Sequence, residues 1–298
     1  MKISVIIPTR NRVDDLTHCL QSLLTQSVTP NEIIIIDSSN TPIIYEHKFQ
    51  NMTTQLNKSN ITLIYKHTEP GAAYQRNIGI ALASGDVFYF FDDDVVLKND
   101  YIFQLQKTLE LYPEYFGGMG MINGNYTHFS INRLLRIIFF MQRCNASGKF
   151  TCSGMPTHPY GKKSFREVAV LCGCACYRAQ VFKKHLFDEK LGRYSYMEDC
   201  DLSKRVSQSH KLFYNPDAQL DHLQSPLNRD SITRNRAIFI RNYSYLFFKN
   251  FYPENRLRIF GYCWTITGLF IEALVLIRST DYLRGYIRGL QEYFSCKF

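Results

Sequence analysis

Apolar positions in the first hundred residues fall into short unbroken runs, separated by polar stretches with a helical beat. ISVII (3–7), EIIIID (32–37), ITLIYKH (61–67) and VFYFF (87–91) are β-branched or aromatic. Continuous runs of this length predict strands covered on both faces, as in a parallel sheet. Between the first two, DDLTHCLQSLLTQS sets Leu16, Leu20, Leu23 and Leu24 at helical spacing behind Asp14 and Asp15. Between the third and fourth, GAAYQRNIGIALASG reads as a helix stopped by Gly85. The order is βαβ repeated, a doubly wound α/β architecture.

Further on the pattern loosens. Residues 116–163 carry nine glycines and prolines among scattered aromatics, plus the apolar patch LLRIIFFM (134–141), and read as a connecting region. VAVLCGCACY is expected to be a strand and AQVFKKH a helix. YMEDCDLSKRV (196–206) predicts a helix with Leu202 and Val206 on one face and Asp201 paired to Arg205 four residues on. KLFYN (211–215) and AQLDHL (218–223) read as edge strands. In the tail, RNRAIFIRNYSYLFFKNFYP mixes arginines with aromatics at helical spacing. GYCWTITGLFIEALVLI (261–277) is 17 residues long with Glu272 inside it, short of the ~20 residues a spanning helix needs. Two readings fit: an amphipathic helix in the membrane interface with arginines toward the headgroups, or a helical hairpin packed on the core.

Composition sets bounds on this outline. The chain has 298 residues, 45% hydrophobic and 20% charged, enough for one large α/β domain with an appendage. The change in character divides it into residues 1–228 and residues 229–298. The net charge is +9, and from Arg229 onward eleven Lys/Arg face five Asp/Glu, so +6 lies in the tail. That surplus suits phosphates or an anionic membrane surface. Because the basic residues interleave with long apolar runs, nucleic acid is excluded as the partner. Nine cysteines include no CxxC pair, which argues against zinc. Alternation points Cys172, Cys174 and Cys176 to one side of a strand, where thiols pack as apolar groups. MKISVIIPTR leads directly into a strand with no secretory pattern. A cytoplasmic protein, peripheral at the inner face of the cell membrane, is expected.

In doubly wound sheets, ligands collect beyond the carboxyl ends of the strands. Those ends read PTRNR (8–12), DSSN (37–40), HTEPG (67–71) and DDD (92–94), so four loops should line one crevice. Adjacent carboxylates repel, and burying one without a partner is costly. Asp92, Asp93 and Asp94 are therefore either a solvated acidic turn or a site for a divalent cation, which needs clustered oxygen ligands.

SVIIPTRNR, a strand ending in Asp37, PGAAYQRNIGIALASGD, FFDDD and YMEDCDLSKRV follow one another between residues 3 and 223. Together they resemble the family 2 glycosyltransferases, of the bacterial polysaccharide-assembly type. The resemblance implies the GT-A fold, a Rossmann-like, mostly parallel sheet with flanking helices, here followed by the helical, membrane-associating tail. It implies an inverting, metal-dependent transferase that moves a sugar from a UDP- or dTDP-sugar to a hydroxyl of a glycan or lipid-linked acceptor. By position, Pro8, Thr9 and Arg12 would pack around base and ribose, although Pro8 equally ends a strand. Asp37 would accept the N–H of a uracil-type base, and Ser38 stands where the family often has a second acid. Arg76 would face the donor phosphates or the acidic cluster, with Asp86 able to hold it or to lie in a surface turn.

The acidic triplet matches the family's DxD-type element with Phe91 in its usual first position. Asp93 then aligns with the metal-binding acid, Asp92 with a ribose contact and Asp94 with a metal or supporting role. Mn²⁺ or Mg²⁺ would bridge the two phosphates. His222 falls where some members have a third metal ligand, or is a core histidine. Asp199 aligns with the catalytic base, with Glu198 supporting the site; a helix N-terminal acid favoured by the dipole is the plainer alternative. Competing functions are a non-catalytic nucleotide-sugar-binding relative and another metal-dependent phosphoryl or nucleotidyl transferase. A sugar-nucleotide-forming enzyme would want a glycine-rich first loop, and PTRNRVDD has no glycine.

Overall fold

The computed structural model describes residues 1–124, 131–143, 148–192, 194–223 and 231–295. Four parallel strands are β1 (Ile3–Thr9), β2 (Glu32–Asp37), β3 (Thr62–His67) and β4 (Val87–Phe90). Pairing runs β3-β2-β1-β4, with Ser4 opposite Glu32 and Thr9 opposite Asp37. All six residues of β2 are buried, as a run of four isoleucines requires. Helix α1 (Val13–Leu24) buries Leu16, Leu20 and Leu23. A second helix, α2 (His47–Lys58), crosses from β2 to β3, and α3 (Ala72–Leu82) crosses from β3 to β4. The expected βαβ units form here. Gly85 is not the stop, since the helix ends at Leu82 before an extended Ala83. Gly85 instead lies so close to β1 that a Cβ there would fall 2.5 Å from Ser4 Oγ. Asp86 caps the backbone N–H of Lys2 at 2.7 Å and does not hold Arg76.

The sheet then changes direction. Its full order is β3-β2-β1-β4-β10-β6-β11-β5, with β9 also on β11. After the acidic triplet come β5 (Val95–Leu97), α4 (Tyr101–Leu111), β6 (Tyr115–Asn123) and α5 (Ile131–Ile138). A small hairpin joins β7 (Lys149–Phe150) to β8 (Pro156–Thr157), and β9 (Arg166–Val168), β10 (Ala175–Arg178), α6 (Glu198–Val206) and β11 (Lys211–His222) follow. Strand β10 runs antiparallel to both β4 and β6, and β11 runs parallel to β6. Three expectations change here. The segment 168–177 is not one strand, because residues 169–174 leave the sheet between β9 and β10. Cys172 and Cys174 are buried in that crossing, and only Cys176 sits in the ladder. Residues 211–222 form one interior strand in place of two edge strands, irregular between Asn215 and Gln219, where Pro216 cannot donate to a ladder. The AQVFKKH segment is a 3₁₀ turn, Ala179–Lys183.

The tail folds as α7 (Ile232–Asn250), α8 (Arg258–Ile271) and α9 (Thr280–Phe294), and the predicted division at residue 228 lies outside the described residues. Helix α8 continues through a π-helical turn, Glu272–Ile277, so the apolar segment is one helix of 20 residues. By length and composition alone it could cross a membrane. Glu272 does not face outward; it is buried and accepts from Arg136 of α5 at 2.9 Å. The three helices share a core with Met141, Met155, Val170, Leu191 and Met197. Lys249 of α7 bridges Asp188 and Asp201 at 2.7 and 2.8 Å, and Arg205 holds the other oxygen of Asp201. Arg234 and Arg241 of α7 line the cleft described next, contrary to arginines arrayed toward headgroups.

Candidate active site

All four strand-end loops meet in one cleft of about 920 Å³, lined by residues 8–10, Arg12, Ser38, 70–72 and 92–94 among others. Gln75 organises the rim. Its Nε2 donates to the carbonyls of Thr9 and Ile36 at 3.1 and 2.7 Å, and its Oε1 accepts from Gly71 N. Nothing in the sequence marked that residue, because its role is to join two loops and a helix that are distant in the chain.

Each acid of the triplet has a hydrogen-bonding partner, and two arginines lie among the three, which is why three like charges tolerate one turn. Asp92 accepts from Arg76 at 2.7 Å. Asp93 is buried and accepts from Thr9 Oγ1 at 2.8 Å and Arg12 Nη1 at 3.1 Å. Burial still pushes its carboxyl up to about 6, with Arg12 and Thr9 pulling the other way. Asp94 pairs with His222 Nε2 at 3.0 Å and lies 3.6 Å from Arg12. The hydrogen bond to Asp94 raises the His222 imidazole against the lowering effect of burial.

Among the described residues, Asp92, Asp94 and His222 bring ligand atoms within 4.8 Å of one another. Two carboxylates suit a hard divalent ion such as Mn²⁺, with the imidazole as a further nitrogen ligand, so the donor set fits the implied metal. Asp93 also lines the cleft but is outside this trio, its two oxygens already taken by Thr9 Oγ1 and Arg12 Nη1. Asp37 is also turned inward. It is fully buried, and its oxygens accept from Ser39 N, Ile43 N and Tyr65 OH at 2.8, 2.9 and 2.7 Å. The carboxylate thus shapes the loop after β2, while Pro8, Thr9 and Ser38 line the cleft.

The opposite wall is built by the turn into α6. Ser195 and Met197 both have positive φ, 43° and 75°, a conformation that non-glycine residues rarely adopt. The turn is held in place. Ser195 Oγ accepts from Ala73 N and donates to Gly192 O, while Asn242 Nδ2 donates to Tyr196 O at 2.9 Å. It sets Glu198 and Asp199 in the first turn of α6. Asp199 is half-buried, lines the cleft, and accepts from Cys200 N at 2.7 Å. Arg76, itself buried, bonds both Asp92 and Glu198 and so spans the two walls. Burial pushes the Glu198 carboxyl up, and the Arg76 charge opposes that.

Several lining residues carried no signal in the sequence. His158 stacks on Tyr160 at 4.8 Å, and burial holds its imidazole below the ordinary value while Asp199 draws it upward. Tyr194, Tyr196 and Phe239 add aromatic faces, and Arg234 and Arg241 add charge.

Residues 4–186 match the model of glycosyl transferase family 2, and the chain belongs to that family. Its mixed sheet with flanking helices is the GT-A fold. Over 219 residues it is 25% identical to the glycosyltransferase GlyA of Streptococcus pneumoniae, covering 72% of this chain and 30% of that protein. Over 111 residues it is 37% identical to the uncharacterized glycosyltransferase YibD of Escherichia coli, covering 37% of this chain and 31% of that protein. The chain thus spans about a third of the length of these curated relatives. Among solved structures, residues 1–349 of Staphylococcus aureus TarS superpose with a TM-score of 0.61 at 17% identity, covering 99% of this chain and 80% of that one. The same protein has been solved with UDP-GlcNAc. The mannosyltransferase PcManGT of Pyrobaculum calidifontis, solved with GDP-Man and Mn²⁺, gives 0.60 at 13% identity, covering 100% and 88%.

Proposed function

We propose that the chain is a metal-dependent, inverting glycosyltransferase that moves a sugar from a nucleoside-diphosphate donor to a hydroxyl of a glycan or lipid-linked acceptor in cell-surface polysaccharide synthesis. The observation that carries this reading is a single cleft holding Asp92, Asp94 and His222 together with the half-buried Asp199. Asp92, Asp94 and His222 would hold Mn²⁺ or Mg²⁺, which when bound offsets the charge of a departing diphosphate. Thr9 and Arg12 keep Asp93 in place beneath them. Arg76 fixes Asp92 against Glu198. Asp199 accepts the acceptor hydroxyl's proton as that oxygen attacks the anomeric carbon, and direct attack inverts configuration. Pro8, Thr9 and Ser38 form the surface for base and ribose. UDP- and dTDP-sugars are the proposed donors; with Asp37 engaged by its own loop, a GDP-sugar is the necessary control.

In this reading residues 1–228 are the donor-binding and catalytic unit, and residues 229–298 close the acceptor side. The protein is placed in the cytoplasm, peripheral at the inner membrane face. Supporting that placement, Leu134, Ile138 and Phe140 of the α5 region and Phe260, Trp264 and Leu274 of α8 are exposed. Trp264 Nε1 donates to Ile138 O at 2.8 Å, which joins the two sets into one apolar surface. An exposed aromatic and aliphatic face of this kind is what an interfacial helix presents to lipid.

The test is thermal stability with UDP, dTDP, GDP and ADP, each with and without Mn²⁺. Stabilisation by a pyrimidine diphosphate only when metal is present is the expected result. No response to any nucleotide in either condition overturns the reading.

A further inference from the structure

Helix α7 brings Arg234, Ile238 and Arg241 to the cleft, residues four and three apart and so on one helical face. Their nearest carboxylate is Glu292 of α9. Arg234 Nη1 lies 3.1 Å from it, Arg288 Nε 2.8 Å and Arg241 Nη1 3.9 Å. Three guanidiniums around one carboxylate leave an excess of two positive charges. Arg241 is the most confined, its side chain only 11% exposed. Burial lowers its proton affinity, Glu292 opposes that and Arg234 adds to it. Two like charges side by side, one of them confined, repel each other along a cavity wall and favour an anion there.

Beside these arginines, Tyr194 and Tyr196 stack in parallel with centroids 6.4 Å apart and planes 11° apart. Both are exposed and line the same cleft. Flat aromatic faces of this kind suit the apolar face of a sugar ring. Arg241 Nη2 donates to Leu191 O and Asn242 Nδ2 to Tyr196 O, so α7 fixes this loop against the turn that carries Asp199. The cations nearest the acidic loop differ in being matched already: Arg12 by Asp93, and Arg76 by Asp92 and Glu198. In the tail cluster, by contrast, one carboxylate serves three guanidiniums.

We propose that this wall is an acceptor subsite for a phosphate-bearing saccharide, with the sugar on Tyr194 and Tyr196 and the phosphate at Arg234 and Arg241. The inference rests on the glycosyltransferase reading and names the acceptor class for the same cleft. Its test uses the full chain with UDP and Mn²⁺ at saturation, so that the donor region is occupied. Three probes are titrated calorimetrically at matched ionic strength: glycerol 3-phosphate, bis(glycerol) phosphate, and farnesyl diphosphate in non-ionic micelles. Glycerol and farnesol are the neutral controls. Phosphate probes should bind and neutral ones should not. Arg234→Gln, at a half-buried position, should weaken that binding by about tenfold or more while changing UDP–Mn²⁺ affinity less than about twofold. Preference for the diester assigns a phosphodiester polymer as acceptor, and preference for farnesyl diphosphate assigns a lipid-linked one. Equal binding of charged and neutral probes, or equal loss of UDP and phosphate binding in Arg234→Gln, overturns the subsite. Repeating the titration without nucleotide keeps the outcomes separate. Phosphate binding that still depends on Arg234 there sustains the subsite even if UDP does not bind, and absence of UDP binding counts only against the donor reading.

Discussion

The guanidinium of Arg76 donates to Asp92 at 2.7 Å and, through its other terminal nitrogen, to Glu198, tying the acidic turn after β4 to the first residue of α6. The two walls of the cleft are thus joined by one buried cation. Arg76→Met leaves Glu198 buried without its counter-charge, which should cost about 3–5 kcal/mol in urea unfolding. The double change Arg76→Met with Glu198→Met should recover a large part of that loss. A double variant no more stable than the single would show that the pair does not carry the connection.

Asp199 lines the cleft at the first turn of α6, its Oδ1 accepting from Cys200 N. Asp199→Asn should keep metal-dependent nucleotide binding and lower transfer by about 10²-fold or more. Full transfer activity in that variant would remove the base assignment.

The neighbouring acids of the triplet should separate by function. Asp94→Asn and His222→Ala should each abolish the Mn²⁺-dependent part of nucleotide stabilisation. Asp93→Asn acts on the bonds from Thr9 and Arg12, so it should lower unfolding stability by about 1–3 kcal/mol while keeping the metal response. The reverse ranking would place the metal on Asp93.

The tail should loosen in acid. Burial raises the Asp188 carboxyl, but hydrogen bonds from Lys249 and Tyr245 outweigh it and hold the group below the ordinary carboxylate value. Its contribution is therefore present above about pH 4 and lost as pH falls through the lower folded value. Melting temperature followed from about pH 6 to about pH 2 should drop less steeply in Lys249→Met than in the parent. Identical slopes would show that this pairing does not govern acid stability.

The apolar surface predicts vesicle binding. Phe260→Ser with Trp264→Ser removes two exposed aromatics of α8 and should weaken binding to anionic vesicles, read by sedimentation, by about a hundredfold or more, since each buried large side chain contributes about 1.5–3 kcal/mol. Sedimentation unchanged from the parent would leave the membrane placement without its contact surface.

How far the sequence could be read follows from where each signal resides. The first four strands, α1, α3 and α6 are local patterns: unbroken isoleucine-rich runs, leucines at helical spacing, an acid-led helix start. Strand β6 is not local. YFGGMGMIN looks like loop sequence, yet a Cβ on Gly118 would fall 2.3 Å from the Phe213 ring, so tertiary packing demands the glycine. Pro216 divides β11 for the same kind of reason, because the irregularity that accommodates it exists only against β6. The acidic triplet and Asp199 were legible as chemistry, whereas which acid is already engaged depends on Thr9 and Arg12, which bond Asp93. Tyr194, Arg234 and Arg241 reach the cleft only because α7 folds back over the turn before α6.

The grip of Asn242 and Arg241 on the 191–196 loop has a geometric consequence. Were the outer face of α8 to rest against a membrane plane, as proposed, the mouth of the cleft would sit at a set height and tilt above it, as in an instrument of fixed focus, because α7 and α8 share one core. The distance from that plane to an incoming hydroxyl is then built into the helices, so lengthening α8 by a turn would move the reach of the molecule and leave its chemistry alone.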